Sequence, residues 1–146
     1  MARRPPRLVV KTITALALLV YRATRGRIGG RFGRVRVLLL TTTGRRTGKR
    51  RTAPLGYLAD DGRFVVIASF GGSDVHPAWY LNLVASPEVE VQLRGCAPQP
   101  MRARIAGPQE RARLWPRAVE MYAGYAKYQE KAAPREVPLV ILERPG

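Results

Sequence analysis

Short β-prone runs separated by turn residues constrain the fold of this chain more than any other feature of its sequence. Clusters of apolar and β-branched residues, in places alternating with polar ones, predict six strands. They lie at 35–43, 52–59, 63–69, 89–94, 101–106 and 137–143. Short turns such as Asp60-Asp61-Gly62 join neighbouring strands, and strands joined in this way pair antiparallel. The sequence therefore predicts a mainly β fold of the α+β class, a small closed barrel with peripheral helices.

Two stretches of helical composition, 77–85 and 109–129, supply the predicted helices. Pro77 suits the first turn of the shorter helix, and Ser73 or Asp74 is its predicted cap. Pro116 predicts a bend, or a junction between two helices, in the longer stretch. Strands and helices do not alternate regularly, which disfavours a doubly wound parallel sheet.

Positive charge is concentrated at the start of the chain. The formal net charge is +16, and residues 1–59 hold fifteen Lys and Arg without any Asp or Glu. Such a field attracts anions, among them nucleic acid, acidic lipid headgroups and phosphorylated ligands. Because charge alone is a non-specific signal, nucleic acid is the least favoured of these partners.

Residues 1–27 predict a basic, amphipathic N-terminal helix, set apart from a barrel domain that comprises 28–146. Its uninterrupted apolar run, 12–21, is shorter than the ~20 residues that span a bilayer. The helix is expected either to pack on the barrel or to lie on a membrane surface beside anionic lipid. The single cysteine, Cys96, excludes an intrachain disulfide and favours a reducing compartment. We therefore expect a cytoplasmic protein, which contacts the inner face of the cell membrane peripherally if the helix lies on lipid.

The first long strand ends in a turn that carries five Lys and Arg within seven residues, 45–51. This turn is not a P-loop, because Gly44 and Gly48-Lys49 are one residue too close and Arg50 replaces the required Ser or Thr. The remaining interpretations are an anion clamp and a solvated basic hairpin. A clamp is favoured by the bidentate contacts of arginine and by glycines that permit close approach of a ligand.

A second candidate site follows the third strand, where Ser69-Phe70-Gly71-Gly72 leads into the short helix. Trp79 and Asn82 are three residues apart and are predicted to share a helix face. An aromatic ring and an amide on one face suit a flat heteroaromatic ligand. The alternative is that Trp79 and Leu83 belong to the core.

Tyr122, Tyr125 and Tyr128 are spaced at intervals of three and predict a tyrosine stripe on one helix. Core packing is one interpretation. The other places the hydroxyls over a pocket, where they position a substrate or donate a proton. His76 is the only histidine, and the sequence holds no recognisable nucleophile–base pair or metal-ligand cluster. If the protein is an enzyme, a cofactor is therefore expected to supply the chemistry.

Several segments together carry a more specific pattern. They are 39–48, Arg51 with Pro54-Leu55, Ser69-x-Gly71-Gly72, Pro77-x-Trp79-Tyr80-Leu81-Asn82-Leu83, and Trp115-Pro116 followed by Met121-Tyr122. In this order and spacing they resemble the deazaflavin-dependent nitroreductase family. In that family a split β-barrel, similar to FMN-binding split barrels, binds coenzyme F420. The resemblance covers residues 28–143, nearly the whole chain.

The resemblance implies a role for each segment in binding the cofactor. Its phosphate and acidic tail are assigned to Arg45, Arg46, Thr47, Arg51, Thr52, Ala53, Pro54 and Leu55, with Gly56 beside them. The deazaflavin ring is assigned to Ile67, Ala68, Ser69, Phe70, Ala78, Trp79, Tyr80, Leu81 and Asn82, with Tyr125 closing over it. The candidate catalytic residues are Tyr125, Tyr128 and Tyr122, since a Tyr hydroxyl can complete the proton balance.

The implied activity is that of an F420-dependent oxidoreductase, which passes hydride from reduced deazaflavin to a small electron-poor acceptor such as a quinone, an enone or a nitro compound. Gly56 and Phe70 stand where some relatives carry a tyrosine and a lysine, so nitro reduction is not assumed. The alternative function is a non-catalytic carrier of the same fold, and the alternative cofactor is FMN. Because split barrels often dimerise, a homodimer is among the expected states.

Overall fold

The computed structural model describes residues 35–145 together with Leu16, Leu19, Tyr21, Arg22, Arg31 and Phe32. This part of the chain contains seven strands, three α-helices with defined bounds, and helical residues at Leu16, Leu19, Tyr21 and Arg22. The strands are β1 (Arg31–Phe32), β2 (Val35–Thr43), β3 (Arg50–Asp60), β4 (Arg63–Ile67), β5 (Glu88–Gln92), β6 (Gln99–Ile105) and β7 (Leu139–Glu143). The helices are α1 (Ala78–Ala85), α2 (Pro108–Met121) and α3 (Gly124–Ala132), and a 3-10 turn spans Phe70–Gly72.

All strand pairs are antiparallel, in the order β1-β2-β3-β4-β7-β6-β5. A further antiparallel pairing between β2 and β5, with Leu40 opposite Val91, closes the strands from β2 to β7 into a six-strand barrel. We call this contact the barrel seam. The predicted closed barrel of about six antiparallel strands is confirmed, and no predicted strand end is more than two residues from the observed one.

Two apolar cores lie on the two sides of the barrel wall. Because side chains alternate between the faces of a strand, Leu38 and Leu40 belong to one core and Val65 to the other. Leu83 of α1 completes the first core, and Leu114 of α2 completes the second. The helices are thus needed to bury both faces of the sheet.

The helices differ from the predictions in two places. Neither Ser73 nor Asp74 caps α1, because this helix begins after Pro77 and has no side-chain cap. Pro116 lies inside the continuous helix α2, and the junction with α3 falls at Tyr122, whose backbone is extended. Pro116 is exposed, so water can bond the carbonyl group that this proline leaves without an amide partner.

Asp60 joins the β3–β4 hairpin to α2. Its buried carboxylate accepts hydrogen bonds from Arg113 at 2.8 and 2.9 Å, from Arg63 at 2.8 Å and from Arg117 at 3.1 Å. The bonds from Arg113 and Arg63 hold the pKa of this carboxyl far below its usual range. The sequence predicted only a turn at this position, and the structure adds an ionic contact that fixes α2 on the barrel.

Tyr21 attaches the N-terminal helix to the barrel seam. It is 1% exposed, and its hydroxyl lies 3.2 Å from the carbonyl oxygens of both Val37 and Gln92, one on each strand of the seam. Burial raises the pKa of Tyr21 to about 12. Next to it, Arg22 donates a hydrogen bond to the Thr52 hydroxyl at 3.1 Å. At this point the predicted N-terminal helix packs on the barrel.

The other described residues of this helix face solvent. Leu16 and Leu19 are 63% and 65% exposed. The remainder of the predicted N-terminal domain, 1–27, lies outside the described residues. Within the residues that the structure describes, no helix has the length and apolar character needed to cross a membrane.

Candidate functional site

A cavity of about 310 Å³ opens beside β3, bounded also by the turn after β4, by α1 and by the start of α3. Ten residues assigned from the sequence to the cofactor or to catalysis line it. They are Pro54, Leu55, Gly56, Ile67, Ser69, Phe70, Trp79, Tyr122, Tyr125 and Tyr128. Its volume is at the lower end of the range for small-molecule sites. The fold therefore brings together segments that the sequence only suggested as separate motifs.

At Gly56, a side chain of the neighbouring strand lies close against the backbone of the cavity wall. A Cβ atom here would lie 2.6 Å from Cγ1 of Val35 and 3.5 Å from the hydroxyl of Tyr125. Any larger residue would require Val35 to move. The strand consequently presents bare backbone beside the Tyr125 hydroxyl.

The turn after β4 consists of left-handed residues. The φ angle is 48° at Phe70, 62° at Gly71 and 81° at Gly72. Glycine adopts this conformation readily, whereas Phe70 is strained. A Cβ on Gly72 would lie 3.0 Å from the Cα and the carbonyl oxygen of Tyr128, so the turn rests directly on the backbone of α3.

The three tyrosines form one cluster, although they do not share one helix as predicted. Tyr122 follows α2, whereas Tyr125 and Tyr128 belong to α3. The rings of Tyr122 and Tyr125 meet edge to face at 5.0 Å, and the hydroxyls of Tyr122 and Tyr128 are 3.2 Å apart. Tyr125 is also part of the second core, which contains Val65 and Leu114, so core packing and cavity lining both apply to it.

The environment keeps the hydroxyls of Tyr125 and Tyr128 protonated. Burial raises the pKa of Tyr125 to about 12. The hydrogen bond with Tyr122, followed by burial, raises the pKa of Tyr128. Near neutral pH both groups are therefore hydrogen-bond donors and not bases.

The basic turn, 44–51, closes on its own backbone. The Gly44 amide donates to the Lys49 carbonyl and the Gly48 amide donates to the Gly44 carbonyl, each at 2.8 Å. All five of its cations are exposed, and four of them make no ion pair with an acid in the described part of the chain. These four are Arg45, Arg46, Lys49 and Arg51. The fifth, Arg50, lies 3.6 Å from Glu90.

Asn82 holds the basic turn against α1 and does not line the cavity. Its buried Oδ1 accepts a hydrogen bond from the Arg45 amide at 3.1 Å, and Nδ2 donates to the Thr42 hydroxyl at 3.2 Å. Trp79, one turn earlier in the helix, lines the cavity. Trp79 and Asn82 therefore have different environments, because Trp79 borders the cavity and Asn82 binds the basic turn.

The remaining predicted residues lie in neither the cavity lining nor the group of exposed cations. One is in the basic turn, two follow on β3, one is buried after β4 and three are on α1. They are Thr47, Thr52, Ala53, Ala68, Ala78, Tyr80 and Leu81. The ring of Tyr80 packs on His76, with 4.5 Å between centroids.

Two residues of the cavity region are absent from the assignments made from the sequence. Gly71 lines the cavity, and its place in the Ser69-x-Gly71-Gly72 motif was the available signal. Arg135 binds carbonyl groups of the turn after β4. As one of 26 Lys and Arg, it carries no distinguishing sequence signal.

The closed barrel with its three helices is the split-barrel fold of flavin-type cofactor-binding proteins. A solved F420H2-dependent reductase, FDR-A, matches it with a TM-score of 0.66 and 41% identity, over 73% of this chain and 93% of that chain. A solved structure described as a domain-swapped dimer matches with a TM-score of 0.70 and 34% identity, over 95% of this chain and 100% of that chain.

The sequence profile of the family described as F420H2-dependent quinone reductase matches residues 15–144. An F420H2-dependent quinone reductase of Mycobacterium tuberculosis H37Rv is 38% identical over 131 residues, which cover 86% of this chain and 85% of that protein. The chain belongs to the F420H2-dependent quinone reductase family. The resemblance to the F420-dependent split-barrel enzymes is thereby confirmed.

Gly72→Ala is expected to destabilise the protein more than the matched variant Gly71→Ala. Both positions have positive φ, which costs an alanine about 1–2 kcal/mol. Only at Gly72 would the new Cβ press on the α3 backbone, and we expect a further loss of about 1–3 kcal/mol there. Urea unfolding measures both free energies. Equal losses in the two variants would contradict the tight contact between the turn and α3.

Proposed function

We propose that the protein is an F420H2-dependent reductase that transfers hydride to a small electron-poor acceptor, with quinones first among the candidates. One observation carries this proposal, namely that β3 begins in the basic turn at Arg50 and reaches the cavity at Pro54. At about 3.3 Å per residue, one extended cofactor can span the cations and the cavity. The names of the family and of its relatives describe the same activity.

The cationic group fits the phosphate and acidic tail of the cofactor. Arg45, Arg46 and Arg51 are exposed, and guanidinium groups bind phosphate and carboxylate through paired hydrogen bonds. Arg22 adds a further guanidinium, because it lies on the hydroxyl of Thr52, the neighbour of Arg51. We therefore assign the tail to this end of β3.

The cavity fits the flat ring. Trp79 offers an aromatic surface, and Gly56 presents backbone without a side chain to the cavity. The bound deazaflavin supplies the hydride. The chain orients the ring through Trp79 and through the turn that contains Ser69 and Phe70.

The tyrosine hydroxyls are assigned to the acceptor. Hydride transfer to a quinone leaves negative charge on an oxygen atom, and a hydrogen-bond donor stabilises that charge. Tyr122 and Tyr128 share one hydrogen bond at 3.2 Å, so one of their two hydroxyl protons remains available to the cavity. Tyr125 adds a second protonated hydroxyl next to Gly56.

Replacing Arg45, Arg46 and Arg51 together by alanine is expected to weaken the binding of coenzyme F420. Each lost charge-assisted hydrogen bond is worth about 1.5–3 kcal/mol, and exposure of the side chains reduces this, so we expect a rise in Kd on the order of 100-fold. Fluorescence titration measures the Kd of F420, and a parallel titration with FMN is expected to give weaker binding.

The matched control removes three other exposed arginines, Arg94, Arg102 and Arg144, and changes the net charge by the same amount. This variant is expected to bind F420 like the wild type. Equal weakening in both variants would indicate a general field and would contradict a localised clamp. Failure of the wild type to bind F420 at micromolar concentration would overturn the proposed function.

Tyr125→Phe and Tyr128→Phe are expected to lower kcat by about 100-fold while leaving the Kd of F420 nearly unchanged, because the hydroxyls serve the acceptor. Oxidation of F420H2 is followed by absorbance with quinones, enones and nitroaromatics. Tyr57→Phe, in the first core and outside the cavity lining, is the control and is expected to retain activity. A larger effect on Kd than on kcat would assign the hydroxyls to the cofactor. Binding without oxidation by any acceptor would favour the carrier function.

We further propose a cytoplasmic protein whose N-terminal helix contacts the membrane peripherally. Leu16 and Leu19 are exposed while Tyr21 fixes the helix to the barrel, and residues 1–59 contain no acid. Co-sedimentation with anionic vesicles, but not with zwitterionic ones, is the expected result. The double variant Leu16→Glu, Leu19→Glu is expected to lose this co-sedimentation, and undiminished sedimentation would contradict the proposal.

The relative described as a domain-swapped dimer supports a homodimer, which a measurement of the mass in solution tests.

A further inference from the structure

Arg135 binds the turn after β4 and the nearby His76, and every N–H group of its guanidinium takes part. Nη2 donates to the carbonyls of Ser69 at 2.9 Å and Ser73 at 2.8 Å, and Nε donates to Ser73 at 3.1 Å. Nη1 lies 3.1 Å from the Ala68 carbonyl and 3.1 Å from Nδ1 of His76. A guanidinium has five N–H donors, and here all five have an acceptor.

These acceptors flank the part of the turn that lines the cavity. Ser69 lines the cavity itself, and Phe70 and Gly71 lie between Ser69 and Ser73. The φ angle of 48° at Phe70 is unfavourable for a residue with a side chain, so this conformation needs support from its surroundings. Arg135 supplies that support through the carbonyls, and α3 supplies it through the contact with Gly72.

We propose that Arg135 is a positioning residue for the reductase site and that neutral His76 completes its set of acceptors. The inference rests on the proposed reductase function. Arg135 does not line the cavity, and it acts by fixing Ser69, Phe70 and Gly71 where the ring and the acceptor meet the chain.

The contact between Arg135 and His76 specifies the state of the imidazole. A guanidinium can only donate, so Nδ1 of His76 must accept, and the proton of the neutral ring is on Nε2. Protonation would remove the acceptor and set two positive charges 3.1 Å apart. Acid is therefore expected to weaken the hold on the turn.

The other groups around this contact do not reverse that expectation. Burial, followed by the positive charge of Arg135, lowers the pKa of His76. Tyr80 packs on the imidazole, the charge of Asp74 acts on the guanidinium, and Lys131 of α3 lies beside Gly72. Because the folded-state pKa is lowered, the contribution of neutral His76 is complete above the ordinary histidine pKa of about 6.5 and is lost as the pH falls below it.

Arg135→Lys and His76→Gln test the proposal. Lysine keeps the charge but offers three donors on one nitrogen, so it cannot reach all of these acceptors, and kcat/KM is expected to fall about 10- to 100-fold. Glutamine keeps a neutral acceptor that does not titrate. The wild type is expected to lose kcat/KM as the pH falls below about 6.5, and His76→Gln is expected to be nearly flat over the same range.

Hydrogen exchange of residues 69–73, measured without cofactor, provides a readout that is independent of activity. The protection factors, which correct for the intrinsic pH dependence of exchange, are expected to be lower in Arg135→Lys, and lower in the wild type at acidic pH but not in His76→Gln. The matched control is Arg111→Lys. Arg111 also donates a hydrogen bond to a backbone carbonyl, that of Val137 two residues after Arg135, and it does not line the cavity. It is expected to leave both readouts of the turn unchanged.

The outcomes separate the two proposals. Unchanged exchange in Arg135→Lys, or the same acid profile in His76→Gln as in the wild type, overturns the positioning role. If Arg135→Lys does not fold, the pH comparison with His76→Gln decides. A wild type that shows the expected exchange but does not oxidise F420H2 overturns the proposed reductase function and leaves the hold of Arg135 on the turn intact.

Discussion

The pairing of β2 with two neighbours at once is the constraint on which the rest of the structure depends. Leu40 lies opposite Ala53 on β3 and opposite Val91 on β5, so this strand has no free edge along the seam. Closure gives the barrel wall an inner and an outer face, each of which carries its own apolar core. The basic turn connects β2 to β3, so the closed sheet fixes its position.

The residues that hold the site in place bind its backbone groups, and not the side chains that are proposed to contact a ligand. Asn82 binds the amide of Arg45, and Arg135 binds the carbonyls on either side of the cavity-lining turn. Gly72 lets that turn lie on the backbone of α3. Since the side chains of Arg45 and Phe70 are left exposed, the fold can fix their positions and keep them accessible.

The strands were predictable because burial of one face imposes alternation over a few consecutive residues, as in 89–94. The spacing of the tyrosines also predicted that they lie together, but it placed all three on one helix. The break between α2 and α3 at Tyr122 depends on how the two helices pack, which the spacing does not encode. Of the bend and the helix junction expected as alternatives at Pro116, the junction is wrong, because an exposed proline is tolerated inside α2 and the junction falls at Tyr122. The roles of Asp60 and Arg135 depend on partners distant in sequence, and no local pattern encodes them.

Gly56 affects how such a site can diverge among related enzymes. The space for a side chain at position 56 is taken by Cγ1 of Val35 on the adjacent strand, 2.6 Å from where a Cβ would be. A substitution at 56 is therefore tolerated only in combination with a smaller residue at 35. A change of acceptor preference at position 56 would therefore evolve as a coupled pair of mutations. The mutation at position 35 lies outside the cavity lining, and by itself it would not change the residues that line the cavity.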